Sequence, residues 1–269
     1  MTWIICKNVA IVAKSAEDNS DRFPELARKL ARLNVNAMLV GGDQGLRAAK
    51  DATATIPIIV LACDPLDSLV VSIARPGGKA TSMTCISSEL AGKRLQLLKE
   101  LVPSLAHVAV LYNPEDHNKE SEYEQSHEAA SRLKLTLHAY KARSSIEIDR
   151  AYARLVDDHA QALVIFADVL TVAHQKRLAD LALENRLPAM FGFGEFPDME
   201  GLISYGSSDP GMWRRAATYV DKILRGASPS DLQIEQPTRF ELVITLKTAK
   251  TPGLEVPAML LTITDEVIE

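Results

Sequence analysis

LPAMFGFGEFPDMEGLISYGSSDPGMWRRAATYVDKILRG, residues 187–226, is the stretch on which the fold turns. Pro188–Phe191 is a short apolar run that stops at Gly192-Phe193-Gly194, where two glycines free the backbone for positive φ and leave room for a close approach. Gly201 restarts an apolar run, Leu202–Tyr205, that ends at Gly206. Asp209-Pro210 then supplies an N-cap acceptor and a proline at the first helical position. Trp213, Ala216, Ala217, Val220, Ile223 and Leu224 keep helical spacing until Gly226 stops them. Taken alone this is one more strand–helix repeat; the rest of the chain builds a lobe on either side of it.

Upstream, Asn8–Ala13 reads as a short strand, and Phe23, Leu26, Ala27, Leu30 and Leu33 share one helical face. Val35–Gly41 is a buried strand, and Gly42-Asp43-Gln44 opens a short helix through Lys50. Ile56–Cys63 is an almost continuous apolar strand, as expected where a parallel sheet is covered on both faces. Asp64-Pro65 caps a helix over Leu66–Ala74, Arg75–Gly78 breaks the chain, and Lys79–Cys85 reads as a linking strand. Ser87 then caps a long helix, and a second alternating set starts at His107. Its strands are His107–Tyr112, Leu135–Tyr140, Gln161–Ala167 and Pro188–Phe191; its helices are Asn118–Leu133, Ile146–Asp158, with a capping box at Ser144 and Glu147, and Val172–Arg186. Phe240–Thr245 is one more strand, and Pro257 starts a terminal helix. Leu202–Tyr205 and Phe240–Thr245 follow a sheet already complete, and read as connections that return to the first lobe and cross again.

This alternation predicts an α/β fold of two doubly wound parallel-sheet lobes joined by a hinge. One lobe takes residues 1–82 with 206–239, the other 83–205 with 240–269. Ligands of such sheets sit beyond the carboxyl ends of the strands. The 269 residues carry a formal net charge of −5, which makes nucleic acid or an anionic membrane an unfavourable partner. Cys6, Cys63 and Cys85 have no metal-site or disulfide-framework spacing and read as small core residues where the runs are apolar. The motifs GxxxxGK[ST], HExxH and GxSxG do not occur, and the six histidines show no paired ligand spacing, so neither a cofactor nor a metal is expected.

The stretches PELARKLARLNVNAMLV (24–40), ATATIPIIVLACDP (52–65), ARPGG (74–78), ELAGKRLQLLKELVP (89–103), VAVLYNP (108–114), residues 214–250 and the ending DEVIE carry a resemblance. The chain resembles the ABC-transporter substrate-binding proteins of the family with tryptophan- and tyrosine-binding members, which have a type-1 periplasmic-binding fold. The resemblance implies capture of a small molecule between two lobes, delivery to an ABC-transporter permease, no chemistry, and a periplasmic or extracellular location. MTWIICKN carries no signal peptide, and the family's first βα unit has no counterpart before Asn8. With that interior strand missing, three outcomes are expected: Asn8–Ala13 and Val35–Gly41 close up, another chain supplies a strand by self-association, or the lobe is poorly ordered. A further departure is Asp43, where the family commonly has Ser or Thr.

Eight ligand-binding residues follow from strand ends. Gly42, Asp43 and Gln44 open a helix whose amides suit a carboxylate, unless Asp43 simply caps it. Asp64 and Asp168 could hold an ammonium or serve as caps, and Asn113 offers both donor and acceptor. Phe193 and Tyr205 could stack on a flat ligand. Three acids and two aromatics suit an amino-acid-like molecule. The alternative is a two-domain α/β enzyme acting on a small metabolite in the same cleft, with Asp64 or Asp168 as its base. A repressor-type sensory domain fits less well, because no helix-turn-helix segment is present.

Overall fold

The computed structural model describes residues 7–17, 19–64 and 78–269. A 3-10 turn at Ser20–Arg22 leads into α1 (Phe23–Arg32), β1 (Met38–Gly41), α2 (Gly42–Ala52), β2 (Ile58–Ala62), β3 (Ala80–Thr84) and α3 (Ser87–Leu101). The chain continues through β4 (His107–Tyr112), α4 (Asn118–Leu133), β5 (Thr136–Lys141), α5 (Ser145–Asp157), β6 (Ala162–Ile165), α6 (Val169–Ala173) and α7 (Gln175–Glu184). It ends with β7 (Ala189–Phe191), β8 (Ile203–Gly206), α8 (Asp209–Leu224), β9 (Glu241–Thr245), α9 (Leu246–Lys250), α10 (Ala258–Thr262) and β10 (Glu266–Ile268).

Among the described residues there are two sheets. The smaller is parallel, in the order β1-β2-β3. Every residue of β2 is buried, and the side chains alternate between two cores. Ile58, Val60 and Ala62 meet Leu46 and Ala49 of α2, with Leu30 of α1 alongside; Ile59 and Leu61 meet Ala216, Tyr219 and Ile223 of α8. Each such aliphatic chain, fully buried, contributes about 1.5–3 kcal/mol, which is why the run reads as unbroken apolar sequence. The larger sheet has the order β10-β9-β8-β7-β6-β4-β5. Its β8–β9 pair is antiparallel, with Ser204 opposite Val243, and its other pairs are parallel. Leu111, Leu163 and Ile165 pack on Ile148, Leu155 and Leu178 of α5 and α7, whereas Val108, Val110 and Val164 pack on Leu98, Leu101 and Ala129 of α3 and α4.

Several expectations need correction. Asn8–Ala13 joins no strand of either sheet among the described residues; Ile11 is 70% exposed and β1 stays an edge strand, so the two do not close up. Leu202–Tyr205 and Phe240–Thr245 are members of the larger sheet, and the excursion between them, α8, is what packs on the smaller one. Gly192 and Gly194 do not have positive φ. A side chain at Gly192 would run into Arg94 and Ala167, and one at Gly206 into the Gly192 carbonyl, so these glycines admit other parts of the protein. The α8 cap is Ser208, whose Oγ accepts from Gly211 N at 3.2 Å, and Asp209 falls inside the helix. The predicted Val172–Arg186 helix is two helices, α6 and α7, separated at His174. The predicted Leu66–Ala74 helix lies outside the described residues.

Near the crossover from β3 to α3 lies a buried ion cluster that periodicity does not show. Glu122 of α4 is fully buried; its Oε1 accepts from Ser87 Oγ at 2.6 Å and from Arg94 at 3.2 Å, its Oε2 from Lys119 Nζ at 2.7 Å. Arg94 also donates to the Tyr205 carbonyl (2.9 Å) and the Gly192 carbonyl (3.4 Å). Burial favours neutral Lys119, but the carboxylates of Glu122, Asp116 and Asp64 outweigh it and hold the pKa well above the ordinary lysine value. Removing one member of such a set leaves an uncompensated buried charge. Arg94→Met is therefore expected to cost about 3–5 kcal/mol of unfolding free energy, read from urea denaturation; a loss no larger than that of a surface substitution would contradict this account.

Candidate functional site

A cavity of about 470 Å³ lies between the two sheets, at the carboxyl ends of their strands. From the smaller sheet come Gly41 and Gly42 after β1 and Cys63 after β2; from the larger come Asn113 after β4, Asp168 after β6 and Phe193 after β7. Leu39, Leu61, Val169, Met212 and Trp213 make most of the remaining wall apolar.

Five of the eight predicted residues line this space: Gly42, Gln44, Asn113, Asp168 and Phe193. Asp43, Asp64 and Tyr205 do not. Asp43 is not the cap of α2, a position held by Gly41; its buried carboxylate pairs instead with Arg47 at 3.2 Å, one turn on. Asp64 accepts from Ser88 N and Ser88 Oγ, both at 3.0 Å, so both its oxygens are taken up in the first turn of α3. The Tyr205 carbonyl serves Arg94, and its ring packs on Phe240 with centroids 6.3 Å apart. Strand-end position alone does not separate these cases; what each acid meets on the next helix does.

Asp168 is 7% exposed and caps α6. Its Oδ1 accepts from Thr171 N at 2.7 Å, and Thr171 Oγ1 accepts from Asp168 N at 2.9 Å. Its Oδ2 is buried with no hydrogen-bond partner. Burial pushes the carboxyl up to about 6, with Asp116 adding to the rise and the Thr171 amide and Lys119 opposing it. Asn113, another lining residue, accepts on Oδ1 from Glu115 N at 3.0 Å. Phe193 is locked edge-on against Phe191, with 66° between the ring planes. The site thus joins a largely apolar enclosure to polar and charged side chains of both signs, Asn113, Asp116, Arg143, Asp168 and Asp209, with one buried acceptor, Asp168 Oδ2, left unsatisfied.

The lobes are closed over this space. Glu115, two residues beyond Asn113, accepts on Oε2 from Ser20 Oγ at 2.8 Å and from Gln44 Nε2 at 2.7 Å. Gln44 therefore bridges the lobes in addition to lining the wall. Val169 of α6 stands against Gly41 and Gly42, with Cγ2 only 3.1 Å from where a Gly42 Cβ would be. Gly42 has φ +66°, so both the backbone and the neighbour call for glycine there. Sequence reading missed Ser20, Glu115 and Val169, because a lobe-to-lobe contact has no local pattern.

Two sheet-based lobes closed on a cavity at their strand ends define a ligand-binding protein of the type-1 periplasmic-binding fold. A family model for ABC transporter substrate binding proteins matches residues 4–268, and the chain belongs to that family. A tyrosine-binding protein of Clostridioides difficile (strain R20291) is 24% identical over 250 residues, covering 92% of this chain and 72% of the relative. A conserved domain protein of Vibrio cholerae superposes with a TM-score of 0.90 at 22% identity, covering 98% of this chain and 88% of that one. The ABC domain of a Streptococcus pneumoniae protein, in complex with L-Trp, superposes with a TM-score of 0.83 at 20% identity, covering 93% and 86%.

Glu115→Ala removes the two carboxylate hydrogen bonds, from Ser20 and Gln44, that cross the cavity mouth, and leaves the Arg47 bond to the Glu115 carbonyl and the Val169 contact in place. Small-angle scattering of the ligand-free variant is expected to show a larger radius of gyration. Its thermal midpoint should stay within about 2 °C of the parent, because the contacts are half-exposed and exposed pairs contribute little. An unchanged radius would mean that other contacts hold the lobes together.

Proposed function

We propose that this protein is the solute-binding component of an ABC importer, capturing an amino-acid-like molecule with a cationic head and an apolar body, without transforming it. The lobes of this reading are residues 1–82 with 206–239 and residues 83–205 with 240–269. The permease is its partner, and its place is outside the cytoplasmic membrane. The observation that carries the ligand class is Asp168 Oδ2, a buried carboxylate oxygen in the cavity wall with no partner. Leaving such a group unpaired is costly, and an ammonium within hydrogen-bond reach would supply what is missing. The tyrosine- and L-Trp-binding relatives support the same reading.

The experiment is a thermal-shift and calorimetry screen of tryptophan, tyrosine, tryptamine and indole-3-propionate, since a ligand of the native state raises the apparent midpoint. At least one amine-bearing compound is expected to stabilise and the propionate not to. Asp168→Asn should weaken that binding by roughly 10–100-fold, the range of a charge-assisted hydrogen bond of about 1.5–3 kcal/mol. If the best binder lacks an ammonium and Asp168→Asn leaves its Kd unchanged, the assignment fails.

The carboxyl also fixes a pH dependence. Its folded pKa of about 6 lies above that of an ordinary aspartate, so its ionisation costs native stability. That cost is absent at low pH, grows as pH rises through about 6 and is fully present above it. Ligand-free Asp168→Asn is therefore expected to be more stable than the parent at pH 7.5, with the gap narrowing towards pH 4.5. Affinity for the amine should run the other way in the parent, tightening between pH 5 and 7 as the carboxylate forms. Equal Kd values at both ends would exclude Asp168 as the counter-ion.

A further inference from the structure

The ends of β2 and β3 bring two thiols together. Ala62 pairs with Thr84, so the next pair in register is Cys63 with Cys85. The backbone confirms this: Cys85 N donates to the Ala62 carbonyl at 3.2 Å, the bond a parallel partner of Cys63 makes. Registered neighbours on parallel strands point to the same face about 4.8 Å apart, inside the roughly 4.4–6.8 Å Cα separation that disulfides accept. Both thiols are free. The two differ in setting. Cys63 is half-buried and lines the ligand cavity; Cys85 is buried, packed in the core of the larger sheet at the crossover into α3.

We propose that Cys63 and Cys85 are a redox pair that closes to an intramolecular disulfide between the smaller sheet and the crossover, reached by oxidant through the ligand cavity. With a glutathione disulfide as oxidant, the Cys63 thiolate attacks one glutathione sulfur and expels the other glutathione as thiolate. The Cys85 thiolate then attacks Cys63 Sγ, forming the Cys63–Cys85 bond and releasing the second glutathione. Two electrons pass to the glutathione disulfide, and the two thiol protons end on the two glutathione products. Contact with Cys85 and burial hold the Cys63 thiol well above its ordinary pKa, so the thiolate is scarce at neutral pH and the reaction quickens in base. The bond would fix the end of β2 to the segment about which the lobes turn, and it would withdraw a thiol from the cavity wall.

The test uses the full chain with Cys6→Ser, so that the pair supplies the remaining thiols. After native oxidation with glutathione disulfide, the expected product is a monomer lighter by two hydrogens. It should have no thiols titratable in denaturant, and a non-reducing peptide map should join Cys63 to Cys85. The half-time should shorten by roughly 30-fold from pH 7 to 8.5, as the thiolate fraction rises about tenfold per pH unit below the pKa. Cys63→Ala and Cys85→Ala should each give at most a glutathione adduct. Two thiols surviving exhaustive native oxidation, or separate glutathione adducts on both cysteines, would overturn the proposal, as would disulfide-linked dimers in place of the internal bond.

Discussion

The larger sheet's side of the cavity rests on charges that water cannot reach. Arg94, Lys119 and Glu122 are at most 1% exposed, and Asp64 and Asp116 lie close enough to act on Lys119. Ions are removed from water only at a large cost, which is tolerable where each finds an opposite charge and every hydrogen-bonding site is used. Arg94 meets that condition by reaching across the fold. One guanidinium holds Glu122 of α4, the first turn of α3 and the carbonyls at the ends of β7 and β8. Those carbonyls belong to Gly192 and Tyr205, beside Phe193 in the wall and Gly206, where the chain leaves for α8. The glycines at 192 and 206 are consequences of the same constraint, because a Cβ at either would collide with this junction.

The cluster also explains why two similar acids have different fates. Asp64 and Asp168 are both 7% exposed, both follow a parallel strand, and burial pushes each carboxyl up to about 6. Asp64 has the Ser88 amide and hydroxyl for its two oxygens, with Lys119 nearby as counter-ion. Asp168 has the Thr171 amide for one oxygen and nothing for the other. The first acid is structural. The second keeps an unmet demand inside the cavity wall, and in a low-dielectric setting an unpaired acceptor of that kind is costly.

What could be read from sequence follows from which interactions are local. The strand His107–Tyr112 and the helix Asn118–Leu133 were legible to the residue, because apolar alternation and strong flanking breaks report burial on a known period. Cavity-lining Asn113, Asp168 and Phe193 were legible as strand ends, since parallel topology sends those ends to one place. The buried charges were not. Arg94 and Lys119 occupy helix positions that a single sequence assigns to solvent, and their partners lie 28 residues away in one case and three in the other. Asn8–Ala13 fails for the opposite reason. Its alternation is that of a strand, but joining a sheet depends on a neighbouring strand, and among the described residues the segment is a strand of neither sheet.

The crossover from the smaller sheet into α3 carries backbone strain. Ile86, between β3 and α3, has φ +47°, a left-handed conformation that costs a β-branched residue about 1–2 kcal/mol. Its amide is held by Thr84 Oγ1 at 3.2 Å, and Cys85 before it is fixed in the larger core. Such strain persists only where the surroundings over-determine it, and here they do so on both sides of the lobe crossing. The arrangement therefore combines a strained crossover at Ile86, the Glu115 bonds at the mouth and an unpartnered Asp168 oxygen inside the wall. The first two belong to the protein alone. A ligand's differential effect on opening enters through the third, because a molecule that satisfies Asp168 while touching walls from both sheets stabilises the closed form more than the open one.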